Sequence, residues 1–334
     1  MLIYILLTEN CNLNCSMCIR GRNNGSSLSL ESLKQMSWVN ELANHDLILT
    51  GGEPTLINGL DNIAFYLSQK AKSLIINTNG TNRNFITDTM LKIQKLHIQI
   101  SIDGDINAHD KIRGKGVYSK VISTMKLLND LNLSFSVSSV VNSYNKDSMF
   151  TLEKELQQFQ NLKYWKVSYQ MPFGSATLNE MLSAEEWNCF VDKLIQKAKI
   201  KLKIQKIFAF DIYEKYKDKL FDMYLGKERV NNCGSGKTKI YIYPDLNVYS
   251  CTCLKNFPLG NLHNNSLSEI LNGSEIQKFT CYSVRNEICI NCKYLKYCNG
   301  GCIGMSYHFF NKLGWGDLRC PLLKKQQSMI TKKQ

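Results

Sequence analysis

The sequence has few prolines, no long apolar run and no low-complexity tract. Only 5 of 334 residues are proline, while 44% are hydrophobic and 21% charged, which excludes a disordered or fibrous chain and indicates a globular one. No apolar stretch approaches the length needed to cross a bilayer. The start, MLIYILLTEN, has no basic region and no small-residue cleavage site, as a secretory signal would have. We therefore expect a cytoplasmic protein that does not bind membranes.

Cysteine and basic residues, by contrast, are abundant. A cytosolic chain with 13 cysteines more often uses them to bind metal or to react than to form disulfides. The 41 basic and 28 acidic residues give a formal charge of +13. Such a surface could attract nucleic acid or an acidic peptide, and ordinary lysine richness explains it equally well. We expect no nucleic-acid partner.

Short β-rich runs recur through the first 170 residues, separated by segments with helical spacing. Successive strands start 24 to 44 residues apart, the length of a βαβ unit. The pattern predicts a parallel sheet with helices, either an open sheet or an incomplete barrel. The predicted strands are residues 2–7, 46–50, 73–77, 97–102, 134–141 and 164–170.

Unusual polar and glycine-rich motifs follow four of these strands. ENCNLNCSMC comes after the first, GGEP after the second, TNG after the third and DG after the fourth. Because functional sites of parallel α/β folds gather at the carboxyl ends of the strands, we expect these motifs to meet at one rim.

The pattern changes near residue 205. We predict a helical bridge over residues 205–232, whose aromatic side chains line either a peptide groove or an ordinary interdomain core. Residues 233–325 are turn-rich and contain nine cysteines, which predicts a small domain with little regular structure, held together by metal. Residues 326–334 read as a basic tail. The bridge aromatics are Phe208, Phe210, Tyr213 and Tyr216.

The first three cysteines, Cys11, Cys15 and Cys18, have the spacing C-x3-C-x2-C. Thiolate-rich sites favour iron–sulfur clusters, zinc or Cu(I), and zinc more usually has paired C-x2-C arms. Three thiolates around an iron–sulfur cube leave one iron without a protein ligand, where a chelating substrate can bind. This loop, placed after the first strand, resembles the signature of the radical S-adenosylmethionine (SAM) superfamily.

That resemblance implies an α/β fold with a partial (βα)6 barrel over residues 1–204. It also implies a [4Fe–4S] cluster that binds SAM by its amino and carboxylate groups and cleaves it to a 5′-deoxyadenosyl radical. Glu53 would accept from the SAM amino group, and the guanidinium of Arg113 suits a carboxylate. The matching positions for SAM binding are Met17, Gly51, Gly52, Glu53, Pro54, Thr78, Asn79, Ser101, Asp103 and Arg113.

A second run, C-x2-C-x5-C-x3-C, resembles the SPASM domain of peptide-modifying radical SAM enzymes. The resemblance implies two auxiliary [4Fe–4S] clusters. Cys253 or Cys281 is a possible fourth ligand of the nearer cluster, and Asn247 is taken to stand at a usual glycine. A structural zinc site is the alternative. The distal ligands would be Cys289, Cys292, Cys298 and Cys320, and the nearer ones Cys233, Cys251 and Cys302.

By resemblance, the function is maturation of a ribosomally made precursor peptide by a carbon–carbon or thioether cross-link between side chains. An anaerobic sulfatase-maturing enzyme, a peptide epimerase and a non-catalytic electron carrier are the alternatives. We expect an electron donor such as flavodoxin or ferredoxin. With only ten residues ahead of Cys11, the leader peptide is expected to bind the barrel, the bridge or a separate partner protein.

Cys189 stands apart from both cysteine sets. In the segment EEWNCFVDKLIQKAKI it falls opposite the predicted apolar stripe, so we expect an inert thiol facing solvent.

Overall fold

The computed structural model describes residues 1–20, 25–204, 215 and 233–323, with only the backbone of residues 296 and 297. The predicted bridge with its four aromatics and the predicted tail therefore lie outside the described residues, apart from residue 215. The described strands are β1 (Leu2–Thr8), β2 (Asp46–Gly51), β3 (Ser73–Thr78), β4 (Leu96–Ser101), β5 (Phe135–Val141), β6 (Leu162–Tyr169), β7 (Leu202–Ile204), β8 (Lys239–Ile242), β9 (Asn247–Tyr249) and β10 (Pro258–Asn261).

Helices connect the strands, as the predicted βα units require. Short 3₁₀ helices occupy Ser37–Asn44, Pro54–Leu56 and Leu178–Glu180. The described α-helices are α1 (Leu30–Gln35), α2 (Leu60–Lys70), α3 (Arg83–Lys92), α4 (Ile106–Arg113), α5 (Val117–Asp130), α6 (Ser148–Leu156), α7 (Ala184–Lys197), α8 (Leu267–Asn272), α9 (Ser274–Thr280), α10 (Glu287–Ile290), α11 (Leu295–Cys298) and α12 (Ile303–Phe310).

All of these strands belong to one sheet, in the order β10-β9-β8-β1-β2-β3-β4-β5-β6-β7. From β8 to β7 along this order every neighbouring pair is parallel. Beyond β8, strands β9 and β10 extend the sheet with antiparallel pairings. All six predicted strands are present in the predicted order, while the short β7 was not predicted. Because β1 to β6 run parallel in sequence order, their carboxyl ends meet at one rim.

The cysteine-rich region shares the sheet and the core of the first region. Strand β8 pairs with β1 in parallel, starting at Leu2 opposite Lys239. The large hydrophobic cluster runs without a break from the sheet into this region, where it includes Ile240, Phe279 and Ile303. The predicted boundaries at residues 204 and 233 thus separate two sets of sequence motifs that share one hydrophobic core. We retain these boundaries as a proposal.

No helix within the described ranges is both long and apolar enough to span a bilayer.

Candidate functional site

The three-cysteine loop leaves the end of β1 at the rim. Cys11 is exposed, and Cys15 and Cys18 are half-buried. The backbone N–H of Leu13 donates to the sulfur of Cys11 at 3.4 Å, and the N–H of Cys18 donates to the carbonyl of Cys15 at 3.3 Å. The loop is therefore folded so that one sulfur already accepts a hydrogen bond, as thiolate ligands of iron–sulfur clusters do.

The GGEP motif packs directly on this loop. The N–H of Gly52 donates to the carbonyl of Thr8, and that of Glu53 to the carbonyl of Asn10, both at 2.8 Å. A Cβ added at Gly51 would lie 2.3 Å from the oxygen of Thr8, and one at Gly52 would lie 2.1 Å from that of Asn10. The close approach that these glycines permit is thus to the backbone of the cysteine loop, and their contact with SAM stays a prediction.

Glu53 is buried, 1% exposed, and ties GGEP to the TNG loop. Its Oε1 accepts from the Thr78 hydroxyl at 2.7 Å and from the hydroxyl and N–H of Thr55 at 2.7 and 3.2 Å. Its Oε2 accepts from the N–H of Asn79 at 2.7 Å. Burial raises the pKa of Glu53 and these hydrogen bonds oppose that rise. The carboxylate organises the rim from beneath, and its expected contact with the SAM amino group is untested.

The TNG loop in turn holds the cysteine loop by side-chain contacts. The amide of Asn79 donates to the Asn12 side chain at 2.8 Å, and Asn12 donates to the hydroxyl of Thr81 at 3.0 Å. Asn79 also accepts from the N–H of Thr81 at 3.0 Å. Asn12, which the sequence motifs did not single out, therefore links the cysteine loop to the TNG loop.

Arg113, at the end of α4, reaches the same loop from the other side. Its Nη1 lies 4.0 Å from the sulfur of Cys15, and its Nε donates to Asp103 at 2.5 Å. The other oxygen of Asp103 accepts from the N–H of Val140 at 2.7 Å. Burial would lower the pKa of Arg113, but Asp103 and the neighbouring thiols more than offset this, so that the pKa is raised and a fixed positive charge stands beside the cysteines.

Asp103 itself is 0% exposed, and both of its carboxylate oxygens are engaged within the chain. In the structure Asp103 positions Arg113, and its expected contact with the cofactor stays a prediction. Ser101 ends β4 half-buried, next to Ser138 in the sheet register.

Met17 lies beneath the loop in a small cluster with Ile112 and Ala176, 7% exposed. The loop after β6 reaches the same place, where the N–H of Ser175 donates to the carbonyl of Cys18 at 2.9 Å. Gly174 has φ +69°, and a Cβ there would lie 2.2 Å from that carbonyl. The cysteine loop, which follows the first strand, is thus contacted by the loop that follows the last of the predicted six.

Four half-buried cysteines of the second region, Cys233, Cys251, Cys253 and Cys302, form one group, which we call the nearer group. The N–H of Cys253 donates to the sulfur of Cys251 at 3.5 Å. The hydrogen bond from the Cys253 side chain, opposed by burial and supported by Lys239, lowers the pKa of Cys251 to about 6. Cys302 interacts electrostatically with Cys233 and Cys251, and burial raises its pKa to about 12.

A second group contains Cys289, Cys292 and Cys320, which interact electrostatically with one another. Cys298, at the end of α11, interacts with Tyr282, as do Cys289 and Cys302. Cys281 is exposed at the end of α9, and its sulfur lies 3.8 Å from the Thr280 hydroxyl. Within the described residues no three Cys, His, Asp or Glu side chains converge closely enough to hold a single metal ion.

The turn between β8 and β9 holds Leu246 in an unusual backbone conformation. The left-handed backbone conformation that a glycine would suit belongs to Leu246, with φ 62°, and not to Asn247. Leu246 is 1% exposed, so burial of its side chain offsets the backbone strain of this conformation.

A cavity of about 560 Å³, which we call the junction cavity, opens between these regions. Its walls come from the residues after Cys18 (Ile19 and Arg20), the loop after β6 (Phe173 and Gly174) and the cysteine-rich region. That volume lies within the range typical of ligand pockets. The cysteine-rich region contributes Tyr243, Thr252, Cys253, Lys255, Asn256, Tyr307, His308 and Asn311.

Comparison with known proteins identifies the family. The Radical SAM superfamily matches residues 5–154, and the SPASM iron–sulfur cluster-binding domain matches residues 233–293. The chain is a radical SAM enzyme with a SPASM domain. Two relatives extend over most of its length: a cysteine-type anaerobic sulfatase-maturating enzyme of Clostridium novyi, 25% identical over 88% of this chain and 85% of the relative, and the subtilosin biosynthesis protein AlbA of Bacillus subtilis, 26% identical over 92% and 69%.

A solved structure, Streptococcus suis SuiB bound to its precursor peptide SuiA, superposes with a TM-score of 0.76 at 15% identity. It covers 96% of this chain and 75% of SuiB. The shared fold confirms the predicted partial barrel followed by a cysteine-rich domain. This radical SAM/SPASM enzyme is accordingly of the type that matures peptides or sulfatases, and its cofactors are SAM, a SAM-binding [4Fe–4S] cluster and auxiliary iron–sulfur clusters.

The residues present fit these groups. The cysteine loop combines three sulfurs, a backbone N–H on Cys11 and the Arg113 cation. The nearer group of the SPASM region combines thiols with the Lys239 cation, which lies close enough to Cys251 to favour its thiolate. Hydrogen bonds and positive charge both stabilise the thiolate form that ligates iron.

The structure also shows what the motifs alone did not reveal. Asn12, the loop after β6 and the junction cavity have no short sequence signature, because each depends on contacts between distant segments. Cys189 is exposed on α7, while Trp187, Phe190, Val191, Leu194 and Ile195 form the buried stripe, as predicted.

Proposed function

We propose that this enzyme modifies a ribosomally made precursor peptide by forming a carbon–carbon or thioether cross-link between side chains. The observation that carries the proposal is the junction cavity. It lies between the residues that follow Cys18 and the turn that bears Cys253, so a peptide segment within it is adjacent to both cysteine groups.

The cofactor ligands follow from the placement of the cysteines. In this proposal Cys11, Cys15 and Cys18 hold the cluster that binds SAM, with Gly51–Pro54, Thr78–Asn79, Ser101, Asp103 and Arg113 around the cosubstrate and Met17 beside its adenine. The nearer auxiliary cluster is held by Cys233, Cys251, Cys253 and Cys302, and the distal one by Cys289, Cys292, Cys298 and Cys320.

Cys253 is favoured over Cys281 as the fourth ligand of the nearer cluster. Cys253 hydrogen-bonds to Cys251 and interacts electrostatically with Cys302, whereas Cys281 is exposed on another helix. A Cβ added at Gly304 would lie 3.0 Å from the Cβ of Cys253 and 3.7 Å from the sulfur of Cys302, so both cysteines lie beside this glycine.

The reaction class needs a strong hydrogen-atom acceptor, which SAM and its cluster supply when bound. A cross-link removes two hydrogens from the peptide, one as the abstracted atom and one as a proton with an electron. An iron–sulfur centre at the neighbouring cysteines is the class of acceptor suited to that electron. The walls of the junction cavity hold the peptide and limit the access of water to the carbon radical.

Relatives support a peptide substrate. SuiB is known in complex with the precursor peptide SuiA, and AlbA takes part in the biosynthesis of the bacteriocin subtilosin. The Clostridium novyi relative favours the alternative of sulfatase maturation, and peptide epimerisation is a further alternative. We further propose a flavodoxin or ferredoxin as electron donor and a separate protein that binds the leader peptide.

Two measurements test this function. Anaerobic incubation with SAM and dithionite is expected to yield 5′-deoxyadenosine; its absence from fully reconstituted protein would reject radical chemistry. Co-expression with a short peptide encoded beside this gene is then expected to give a product lacking two hydrogens, with fragmentation suppressed between the linked residues.

The alternatives give different products. Formylglycine reacts with a hydrazide, and its formation from cysteine also exchanges sulfur for oxygen. An epimerised peptide keeps its mass but incorporates deuterium from heavy water. Either result would replace the cross-linking proposal.

A further inference from the structure

The walls of the junction cavity carry hydrogen-bond donors and positive charge. Arg20 and Lys255 line it from two different segments, and no acidic side chain lines it within the described residues. Lys255 Nζ lies 4.6 Å from the centre of the Tyr243 ring, so the lysine is held against the cavity wall. The acid that interacts with Arg20, Glu9, is not among the lining residues.

Tyr243 adds a second, independent observation. Its side chain is 4% exposed, and its hydroxyl is buried without a hydrogen-bond partner among the described residues. Burial raises the pKa of Tyr243, against the opposing effect of Arg20, so the hydroxyl keeps its proton at neutral pH and can donate it to a hydrogen bond. An unpaired buried hydroxyl carries a cost that an acceptor would remove.

Two cations and an unpaired donor define the complementary ligand. A carboxylate presents several acceptor sites and one negative charge, which this set of groups can satisfy together. From this geometry, and resting on the proposed function, we infer that the junction cavity binds a carboxylate of the substrate peptide. The carboxylate belongs to an Asp or Glu side chain near the modified residue or to the free C-terminus of the peptide.

The probe is a synthetic pool of random short peptides, prepared once with an amidated and once with a free C-terminus. Each pool is enriched on reconstituted, SAM-loaded enzyme, and bound peptides are sequenced by mass spectrometry. If the carboxylate comes from a side chain, we expect Asp and Glu to be enriched over Asn and Gln in the amidated pool. If it comes from the C-terminus, we expect peptides with a free C-terminus to be enriched over amidated peptides. Lys255→Gln should reduce that enrichment about tenfold, the cost of one charge-assisted contact.

Lys278→Gln is the matched control. It makes the same change of charge in the same region, on α9, where Lys278 pairs with Glu275 and does not line the cavity. Enrichment of acidic peptides that is equal in the two variants would overturn the inference, as would selection of peptides without acidic bias. Weaker SAM binding by Lys255→Gln would assign the cavity to the SAM carboxylate and would also overturn it.

The proposed function fails in a distinguishable way. An enzyme that forms no 5′-deoxyadenosine refutes the radical chemistry whichever peptides bind. An enzyme that forms it and selects peptides without acidic bias refutes the carboxylate site alone.

Discussion

The loop with Cys11, Cys15 and Cys18 and the region from Cys233 to Cys320 hold their sulfurs in different ways. In the loop the cysteines are exposed or half-buried, and polar contacts from neighbouring strand ends fix their positions. In the second region Cys251 and Cys302 are also half-buried, but Cys251 packs against the large hydrophobic cluster, and the two thiols lie close to Lys239 and Arg319 respectively.

This difference suits two different tasks. A cluster at the rim must admit a small cosubstrate, so its loop is supported from beneath and from the side. A cluster that only exchanges electrons gains from enclosure, which limits solvent exposure and protects the reduced form. The contrast predicts that damage to the loop abolishes the first step, cleavage of SAM, whereas damage to the nearer group affects only later steps.

The largest effect is expected from Cys15→Ala. Loss of one of three ligands should prevent assembly of the SAM-binding cluster, lower the iron content by about four atoms per chain and abolish formation of 5′-deoxyadenosine. Iron analysis and product chromatography under anaerobic conditions measure both. Full iron content with unchanged SAM cleavage would show that the loop does not hold the cluster.

Cys253→Ala tests the nearer group, with Cys281→Ala as its matched control. The first variant should lose or alter one auxiliary cluster, visible as a changed electron paramagnetic resonance spectrum, and should cleave SAM without releasing cross-linked peptide. The second should keep the wild-type spectrum. The reverse result would assign the fourth ligand to Cys281 and contradict the grouping seen in the structure.

The contrast between these regions also marks the limits of sequence-based prediction. Strand positions and the three-cysteine loop were predictable because apolar periodicity and ligand spacing are local properties of the chain. The orientation of Asp103 toward Arg113, the link through Asn12 and the pairing of β8 with β1 depend on contacts between distant segments. The fourth ligand stayed open for the same reason, since Cys253 and Cys281 differ in placement and not in residue type.

Glu53→Gln should weaken the support of the loop without removing a ligand. The side-chain NH2 of the glutamine would face one of the four groups that now donate to the carboxylate. This contact between two donors would cost about 1–3 kcal/mol. We expect SAM affinity to fall roughly tenfold, measured by equilibrium binding to the reconstituted enzyme.

Glu41→Gln is the control for this effect. Glu41 accepts from the N–H groups of Leu267 and Ser268 at 3.0 and 2.8 Å, away from the rim. The Glu41→Gln variant should be less stable than the wild type but should retain its affinity for SAM. Equal loss of affinity in the two variants would mean that Glu53 acts only through general stability.

A smaller effect is expected from acid. Burial, followed by the charge of Arg113, lowers the pKa of His109 from 6.5 to about 4, and its Nδ1 accepts from the N–H of Asp103 at 3.0 Å. As the pH falls below 6.5, the imidazole of His109 binds a proton in the unfolded chain, whereas in the folded chain it binds one only near pH 4. Stability is therefore full above that pH and falls as the pH drops toward 4, by about 2 kcal/mol between pH 6.5 and 5.

His109→Asn should flatten this dependence, as measured by denaturant titration at several pH values. His97→Asn is a useful comparison, because burial likewise lowers the pKa of His97 to about 4, while its Nε2 contacts Ser136 within the sheet. Both variants should flatten the curve, and only His109→Asn should also weaken SAM binding. An unchanged slope in His109→Asn would contradict a buried neutral imidazole.

The smallest effect is expected at Cys189, which belongs to neither cysteine group. It is exposed on the outer face of α7, opposite the stripe that packs on the sheet, so it contributes neither a ligand nor core packing. Cys189→Ala should keep iron content, SAM cleavage and peptide product within error of the wild type, and its stability should change by less than about 0.5 kcal/mol. A variant that cleaves SAM but releases no product would instead make Cys189 a hydrogen-atom donor, which would require the peptide to reach the exposed face of α7, whose residues do not line the junction cavity.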